Sequence, residues 1–246
     1  MSIKLRDHIN SYEFTCELPS DGRSITFKPF TTGQMKKMLV YENSTDPFMI
    51  ESILDDIMNE CVITEDFFVD ELLLQDRFYL LLKIRENSKG DIYNFNYTCS
   101  KCNMTSPKSI KISEMKVTPM DVDETPIVIN DKISVKMKLI TRGEQKEVYK
   151  RVNRKKLTTT EKFVEVVTMS VAQSMNTFIV GDEEDSNIPL EDKIDLIDNG
   201  IPTSGFETLK KWLEDNDFGM QFTTDLNCIG CGNEEKYSIP VDNFFA

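Results

Sequence analysis

Histidine is almost absent from this 246-residue chain, and His8 is the single copy. A Ser-His-acid or Cys-His arrangement therefore has no second imidazole to draw on. Glycine is sparse at ten residues, and none sits in a lysine-containing phosphate loop. Long apolar runs are missing too, with 39% hydrophobic residues broken into runs of a few, so no transmembrane helix is expected. The first residues carry no apolar h-region, so no signal peptide is expected. Excess positive charge is also lacking. The net charge is −13, which argues against a general nucleic-acid binder. Carboxylates are plentiful, but they fall in runs that read as solvated surface and single out no acid–base pair. Catalysis is not the expectation.

What is present is cysteine in pairs. Cys99-Ser-Lys-Cys102 and Cys228-Ile-Gly-Cys231 share a spacing that lets two thiolates chelate one ion. Each pair is flanked by strand-like runs. Tyr93–Thr98 and Gln221–Asn227 precede the pairs, and Ser109–Ile112 and Lys236–Ile239 follow them. Gly232 comes directly after Cys231, where a tight knuckle favours a residue without Cβ. The expectation is two hairpins facing each other across one structural zinc, held by Cys99, Cys102, Cys228 and Cys231. Another metal or cluster, and plain thiols or disulfides, are the alternatives. Although 125 residues separate Cys102 from Cys228, closure entropy grows only logarithmically with loop length. Cys16 and Cys61 lie in apolar patterns and read as small core residues.

The remaining chain alternates between strand and helix periodicity. Tyr12, Phe14, Cys16 and Leu18 lie two apart, Pro19–Gly22 reads as a turn, and Ser24–Lys28 returns. Thr31 and Gln34 form a capping box, with Met35, Met38 and Leu39 as the buried stripe. Asp46-Pro47 opens a second helix. A third starts at Thr64 or Asp70 and stops at Gly90. Residues 113–131 read as a linker or irregular strand edge, and Lys132–Thr141 as a half-buried strand. Arg142-Gly-Glu144 reads as its turn, followed by a basic helix or arm to Lys156. Thr159 or Thr160 caps another helix, with Phe163, Val166, Val167 and Val171 facing inward. Gly181–Asn187 reads as a surface loop without the ligand order of a calcium loop, and Pro189–Asp198 as a short helix. Thr203 or Ser204 starts a last helix, anchored in the core by Trp212.

Charge is segregated along the chain. Lys132–Lys162 holds eleven basic and three acidic residues, and Gly181–Asp217 twelve acidic and three basic. Either the two stretches satisfy each other within the chain, or they form a polar subunit contact. For the second case the partner-binding candidates are Lys150, Arg151, Arg154 and Lys155.

Four features together resemble one family. They are Phe14-Thr-Cys-Glu-Leu-Pro-Ser-Asp-Gly22 leading to Lys28-Pro-Phe-Thr-Thr-Gly33; the helical pair after it; Phe78-Tyr-Leu-Leu-Leu-Lys-Ile-Arg85 running through Gly90 to Cys99-x-x-Cys102; and Cys228-x-x-Cys231-Gly232. The chain resembles the baseplate hub assembly proteins of T4-like contractile-tailed bacteriophages. It departs at Ser100, where a zinc knuckle often has proline, and at Asn103; neither change touches a ligand. The resemblance implies a non-enzymatic role in building the tail baseplate in the infected host cytoplasm, with baseplate hub proteins as partners. Whether the chain is an assembly factor or a structural subunit stays open. The alternative is a zinc-ribbon nucleic-acid-associated regulatory protein, using the basic 132–162 stretch.

The expected fold is α+β: a helical core, a split zinc-ribbon-like pair of β-hairpins, and a long α+β insertion. The expected boundaries are 1–112 for the N-terminal hairpin, helices and first zinc hairpin, 113–217 for the insertion, and 218–246 for the second zinc hairpin.

Overall fold

A computed structural model describes residues 12–41 and 47–240. The expectations for His8 and for Asp46 as a cap lie outside the described residues. The fold is α+β and divides into two compact units: residues 1–67, 78–118 and 219–246, and residues 68–77 and 119–218.

Unit 1 begins with an antiparallel hairpin, β1 (Phe14–Glu17) and β2 (Ser24–Phe27). Helix α1 (Thr32–Tyr41) is opened by the Thr31–Gln34 box: the Gln34 side chain accepts from the Thr31 N–H at 2.7 Å, and Thr31 Oγ1 accepts from the Gln34 N–H. Helix α2 (Pro47–Cys61) buries Leu54, Ile57, Met58 and Cys61 along one stripe. Its end is tied to β2, because the Lys28 N–H donates to the Cys61 carbonyl and the Ile63 N–H to that of Thr26. Helix α3 (Leu74–Lys89) contributes Leu80, Leu81, Leu82 and Ile84 to the unit 1 core. The helix starts later than Thr64 or Asp70 because Val69–Glu71 first makes a separate 3-10 turn. Gly90 stops it with φ +98°, and Arg85 donates to the Gly90 carbonyl at 2.6 Å.

The helix then delivers the chain into β3 (Ile92–Thr98) and β4 (Thr105–Lys111), an antiparallel hairpin with Tyr93, Phe95 and Tyr97 buried on alternate positions. A 3-10 turn, Ile112–Glu114, leads to β5 (Val117–Thr118). The later return of the chain pairs β10 (Gly219–Met220) with β5, and then forms the second hairpin, β11 (Thr223–Asn227) and β12 (Glu234–Ser238).

Unit 2 is built on an antiparallel sheet in the order β6 (Ile127–Val128), β7 (Ile133–Met137), β8 (Met175–Val180), β9 (Glu183–Asp185). Val135, Met137, Met175 and Phe178 of the sheet pack with Val171, Ala172, Leu209 and Trp212 of the helices. Trp212 is buried, as its helix periodicity demands, and donates its indole N–H to the Asp123 carbonyl at 3.0 Å.

Four local expectations are corrected here. Arg142-Gly-Glu144 opens helix α4 (Arg142–Arg154), with Thr141 as cap and Glu144 reaching back. Gly143 fits there because an added Cβ would lie 3.0 Å from the Asp70 carbonyl oxygen. The cap of α5 (Thr159–Ser174) is Thr158, paired with Glu161, one residue before the expected threonines. Phe163 on that helix is 70% exposed, although Val171 is buried. The acidic 181–187 stretch is a hairpin end, turning at Gly181 (φ +63°) into β9. Helix α6 (Leu190–Asp195) continues as a π turn, Leu196–Gly200, before α7 (Thr203–Asp215).

Candidate metal centre

The turns of the two cysteine hairpins are built alike. In the first, the Cys99 N–H donates to the Met104 carbonyl at 3.0 Å and the Asn103 N–H to that of Cys99 at 2.9 Å. In the second, the Cys228 N–H donates to Asn233 at 2.8 Å and the Gly232 N–H to Cys228 at 2.9 Å. Asn103 and Gly232 occupy matching left-handed positions, with φ of +58° and +67°. Asparagine and glycine are the residues that tolerate that conformation best. The departure at Asn103 is therefore compatible with the same turn.

The two turns bring Cys99, Cys102, Cys228 and Cys231 together, with all four sulfurs within 4.8 Å of one another. Cys99 lies 3.8 Å from Cys231 and Cys102 3.6 Å from Cys228. A regular tetrahedron with zinc–sulfur bonds near 2.3 Å has edges of about 3.8 Å. A disulfide would need about 2.05 Å. Cys99 and Cys228, which lead their pairs, are buried; Cys102 and Cys231 are exposed. Cys61 is buried elsewhere and Cys16 half-buried, and burial pushes both thiols up to about 11.

Electrostatics favour thiolate in the leading positions. The Cys102 N–H, and after it that of Lys101, hold the Cys99 thiol down at about 6 against its own desolvation. The Cys231 and Gly230 N–H groups lower Cys228 in the same way. The Met104 N–H draws on Cys102, but hydrogen bonds with Cys231 and Cys228, together with burial, push it up to about 12. Negative sulfurs at these distances repel one another, so without a cation Cys99 and Cys228 deprotonate readily while Cys102 resists. A divalent soft cation removes that conflict, which is the chemistry of a four-cysteine zinc site.

The second hairpin also clamps the first through Glu235. Its carboxylate accepts from the Ser100 hydroxyl, from the Ser100 N–H at 3.1 Å and from the Tyr97 hydroxyl at 2.6 Å. The Ser100 hydroxyl first, and Tyr97 after it, hold Glu235 down at about 2. Tyr237 stacks on Phe95 at 5.8 Å and meets the edge of Tyr97 at 5.1 Å. The Tyr93 hydroxyl donates to the Pro240 carbonyl, and Asn233 reaches toward the Cys99 sulfur at 3.9 Å. Such surrounding contacts orient ligands. Sequence reading missed Glu235, Ser100 and Tyr97, because hydrogen bonds 135 or more residues apart leave no spacing to read. Gly230, inside the second Cys-x-x-Cys, also meets the first hairpin: a Cβ there would lie 2.5 Å from the Met104 sulfur.

The basic candidates lie on α4 and just after it. Arg151 pairs with Glu191, Lys150 with Glu147 at 3.2 Å and Lys155 with Glu165 at 2.7 Å, while Arg154 is exposed. Lys136 also pairs with Glu184 across the sheet at 2.9 Å. Part of the charge segregation is thus met within unit 2.

The chain is α+β, its two remote hairpins meet at a four-thiol centre, and no helix among the described residues is long and apolar enough to cross a membrane. The family model described as T4 bacteriophage base plate protein matches residues 9–246, so the chain belongs to that family. No curated protein and no solved structure matches it. The family makes it a phage baseplate protein, a component of the virion tail, with other baseplate proteins as partners.

Proposed function

We propose that this protein is a non-enzymatic assembly factor or structural subunit of the baseplate hub, working by protein–protein contact. The observation that carries the reading is the family match over residues 9–246. Cys99, Cys102, Cys228 and Cys231 hold one structural zinc in this reading, making the hairpin pair a split zinc ribbon. Support comes from sulfur separations near a tetrahedral edge and from backbone N–H groups that favour thiolate. Four protein ligands leave the ion no open position for water, so its role is architectural. Residues 113–217 act as an inserted domain, in keeping with the compactness of unit 2. Lys150, Arg151, Arg154 and Lys155 contribute to the partner contact, with exposed Arg154 the least committed within the chain. Assembly takes place in the host cytoplasm.

Co-expression with the hub proteins, followed by sizing and mass spectrometry under gentle conditions, tests this function. A stoichiometric complex retaining one zinc per copy of this chain is expected. Normal hub assembly without the chain, and no complex with it, defeats the proposal. The nucleic-acid alternative predicts binding with a clear counterion slope. Ion pairs of Lys136, Lys138, Lys146, Lys150, Arg151 and Lys155 draw six of the eleven cations in 132–162 away from phosphate.

A further inference from the structure

The cysteine hairpins of unit 1 are each two-stranded, so β4 and β11 each have a side with no neighbouring strand among the described residues. The hydrogen-bond register says which backbone groups face that side. The Cys99 N–H bonds to Met104 at one end of the first hairpin, and the Ile112 N–H bonds to Asp91 at the other. Antiparallel bonding alternates by residue. Ser106, Lys108 and Ile110 are therefore the β4 residues bonded to β3, while Thr105, Pro107, Ser109 and Lys111 turn their backbone groups outward. The same count runs between the Cys228–Asn233 and Ile239–Phe222 bonds, and it turns Thr223, Asp225 and Asn227 of β11 outward. The Lys108 ammonium donates to the Asn227 carbonyl at 3.3 Å, which agrees with that assignment.

Ser109, Lys111, Thr223 and Asp225 all line one cleft of about 630 Å³. Two bonds tie the facing chain segments on either side of these residues: Lys108 to the Asn227 carbonyl toward the cysteines, and the Gln221 N–H to the Lys116 carbonyl away from them. Between them the outward N–H and C=O groups of Ser109 and Lys111 have no backbone partner among the described residues. Natural sheets blunt such edges. Pro107 does so for the half of β4 near the cysteines, since it occupies an outward position and has no N–H to offer. In unit 2, β9 does so with Glu183, Glu184 and Asp185, all exposed. The Ser109–Lys111 half of β4 has no such device; Lys111 is drawn aside by Glu114 at 2.6 Å, and Ile92, 57% exposed, lines the same cleft.

We propose that this edge receives an extended segment of another baseplate chain as an added strand. The proposal rests on the baseplate reading and names the surface through which it works. Charge defines the occupant further. Lys116 and Asp225 line the cleft with no ion pair among the described residues, while Lys111 and Glu114 neutralise each other. The incoming segment is therefore extended, with an acidic residue toward Lys116, a basic one toward Asp225, and β-branched or small residues over Ile92 and Ile110. Main-chain hydrogen bonds supply the affinity in this mode, and the flanking side chains the selectivity.

The test is residue-resolved amide hydrogen exchange on the purified full chain and on the same chain within the co-expressed hub complex. The Ser109 and Lys111 amides are expected to exchange rapidly in the free chain and at least about 100-fold more slowly in the complex, as for amides drawn into a stable ladder. The Ile110 amide, bonded to β3, should be slow in both. This alternation separates strand addition from a mere side-chain contact. Ser109→Pro deletes one outward N–H and should abolish incorporation while metal content stays at the wild-type level; Ser109→Ala should incorporate normally. Fast Ser109 and Lys111 amides in a complex that contains the chain overturn the strand proposal and leave the baseplate reading standing. A chain that enters no complex overturns both. Protection already present in the free chain also overturns the partner assignment. If truncation after Pro240 removes that protection, the occupant is the chain's own terminus; if dilution removes it, the occupant is a second copy.

Discussion

Unit 1 encloses its cysteine hairpins with Tyr93, Phe95, Tyr97, Cys99 and Cys228, whereas unit 2 covers a four-stranded sheet with helices over Val135, Met137, Val171, Phe178, Leu209 and Trp212. The difference lies in what each set of strands can bury. A two-stranded hairpin is marginal in water by itself. Two such hairpins need cross-ties, and unit 1 supplies them with aromatic stacking, the Glu235 carboxylate and the four thiols. Unit 2 joins its four strands into one sheet and covers it with two capped helices, so ordinary apolar burial suffices. One region should therefore depend on metal, the other on packing.

The largest expected effect breaks unit 1 alone. Cys228→Ser, or removal of zinc by a chelator, should take metal content from one ion per chain to none and collapse the near-ultraviolet tyrosine signal. Apparent metal-binding free energies of about 10–16 kcal/mol in small zinc domains set the scale. Trp212 is the chain's one tryptophan and lies in the unit 2 core, so its emission should stay put. Emission that shifts together with the tyrosine signal would show that the comparison is drawn too sharply.

The converse change is Trp212→Ala. It should destabilise unit 2 by about 3–5 kcal/mol in denaturant titrations while zinc content is unchanged. Next in size is the cap of α4. Thr141→Ala should lower unit 2 stability by about 1 kcal/mol. Glu144 in that box carries a pH signature. Its burial pushes the carboxyl up, but hydrogen bonds from Lys138, the Thr141 N–H and Gln173 outweigh that and hold it below 4.5. A carboxylate lowered by folding stabilises above its unfolded value, so this share is present above pH 4.5 and fades as the pH falls below it. Glu144→Gln should flatten that part of the pH–stability curve for unit 2; an unchanged curve would remove Glu144 from the account.

The two knuckles offer a finer comparison. Gly232→Ala places a Cβ on a left-handed residue and should cost about 1–2 kcal/mol, whereas Asn103→Gly should shift stability by only a few tenths. Thermal melts of the zinc-loaded chain distinguish them. Smallest of all, Phe163→Ser on the exposed face of α5 should change stability by no more than about 0.5 kcal/mol.

The cysteine site was legible because its signal is local. A two-residue spacing, alternating flanks and a following Gly232 are all contained in about a dozen residues. That the two pairs meet is a non-local fact, inferred from their likeness and seen in the sulfur distances. The Glu235 clamp had no local trace. Misreadings elsewhere have particular causes. Gly143 suggested a turn after the β7 strand, yet Thr141-x-x-Glu144 is a capping box, and the glycine answers the nearby Asp70 backbone. Phe163 looked like core by apolarity alone, but burial on α5 falls on Met169, Val171 and Ala172. The separate compactness of 68–77 with 119–218 follows from tertiary contacts. The Arg142 N–H donates to the Leu72 carbonyl, and Lys146 pairs with Asp70, which no sequence period announces.

The distance along the chain between the two knuckles also sets an order of events. Cys231 leaves the ribosome 129 residues after Cys102, about 6–26 s later at ordinary elongation rates of about 5–20 residues per second. Through that interval the first knuckle carries two thiols with no opposing pair. The whole of 119–218 is synthesised in the meantime and can reach its packed state first. Closure of the four-thiol centre consequently waits until everything between the two knuckles has been synthesised.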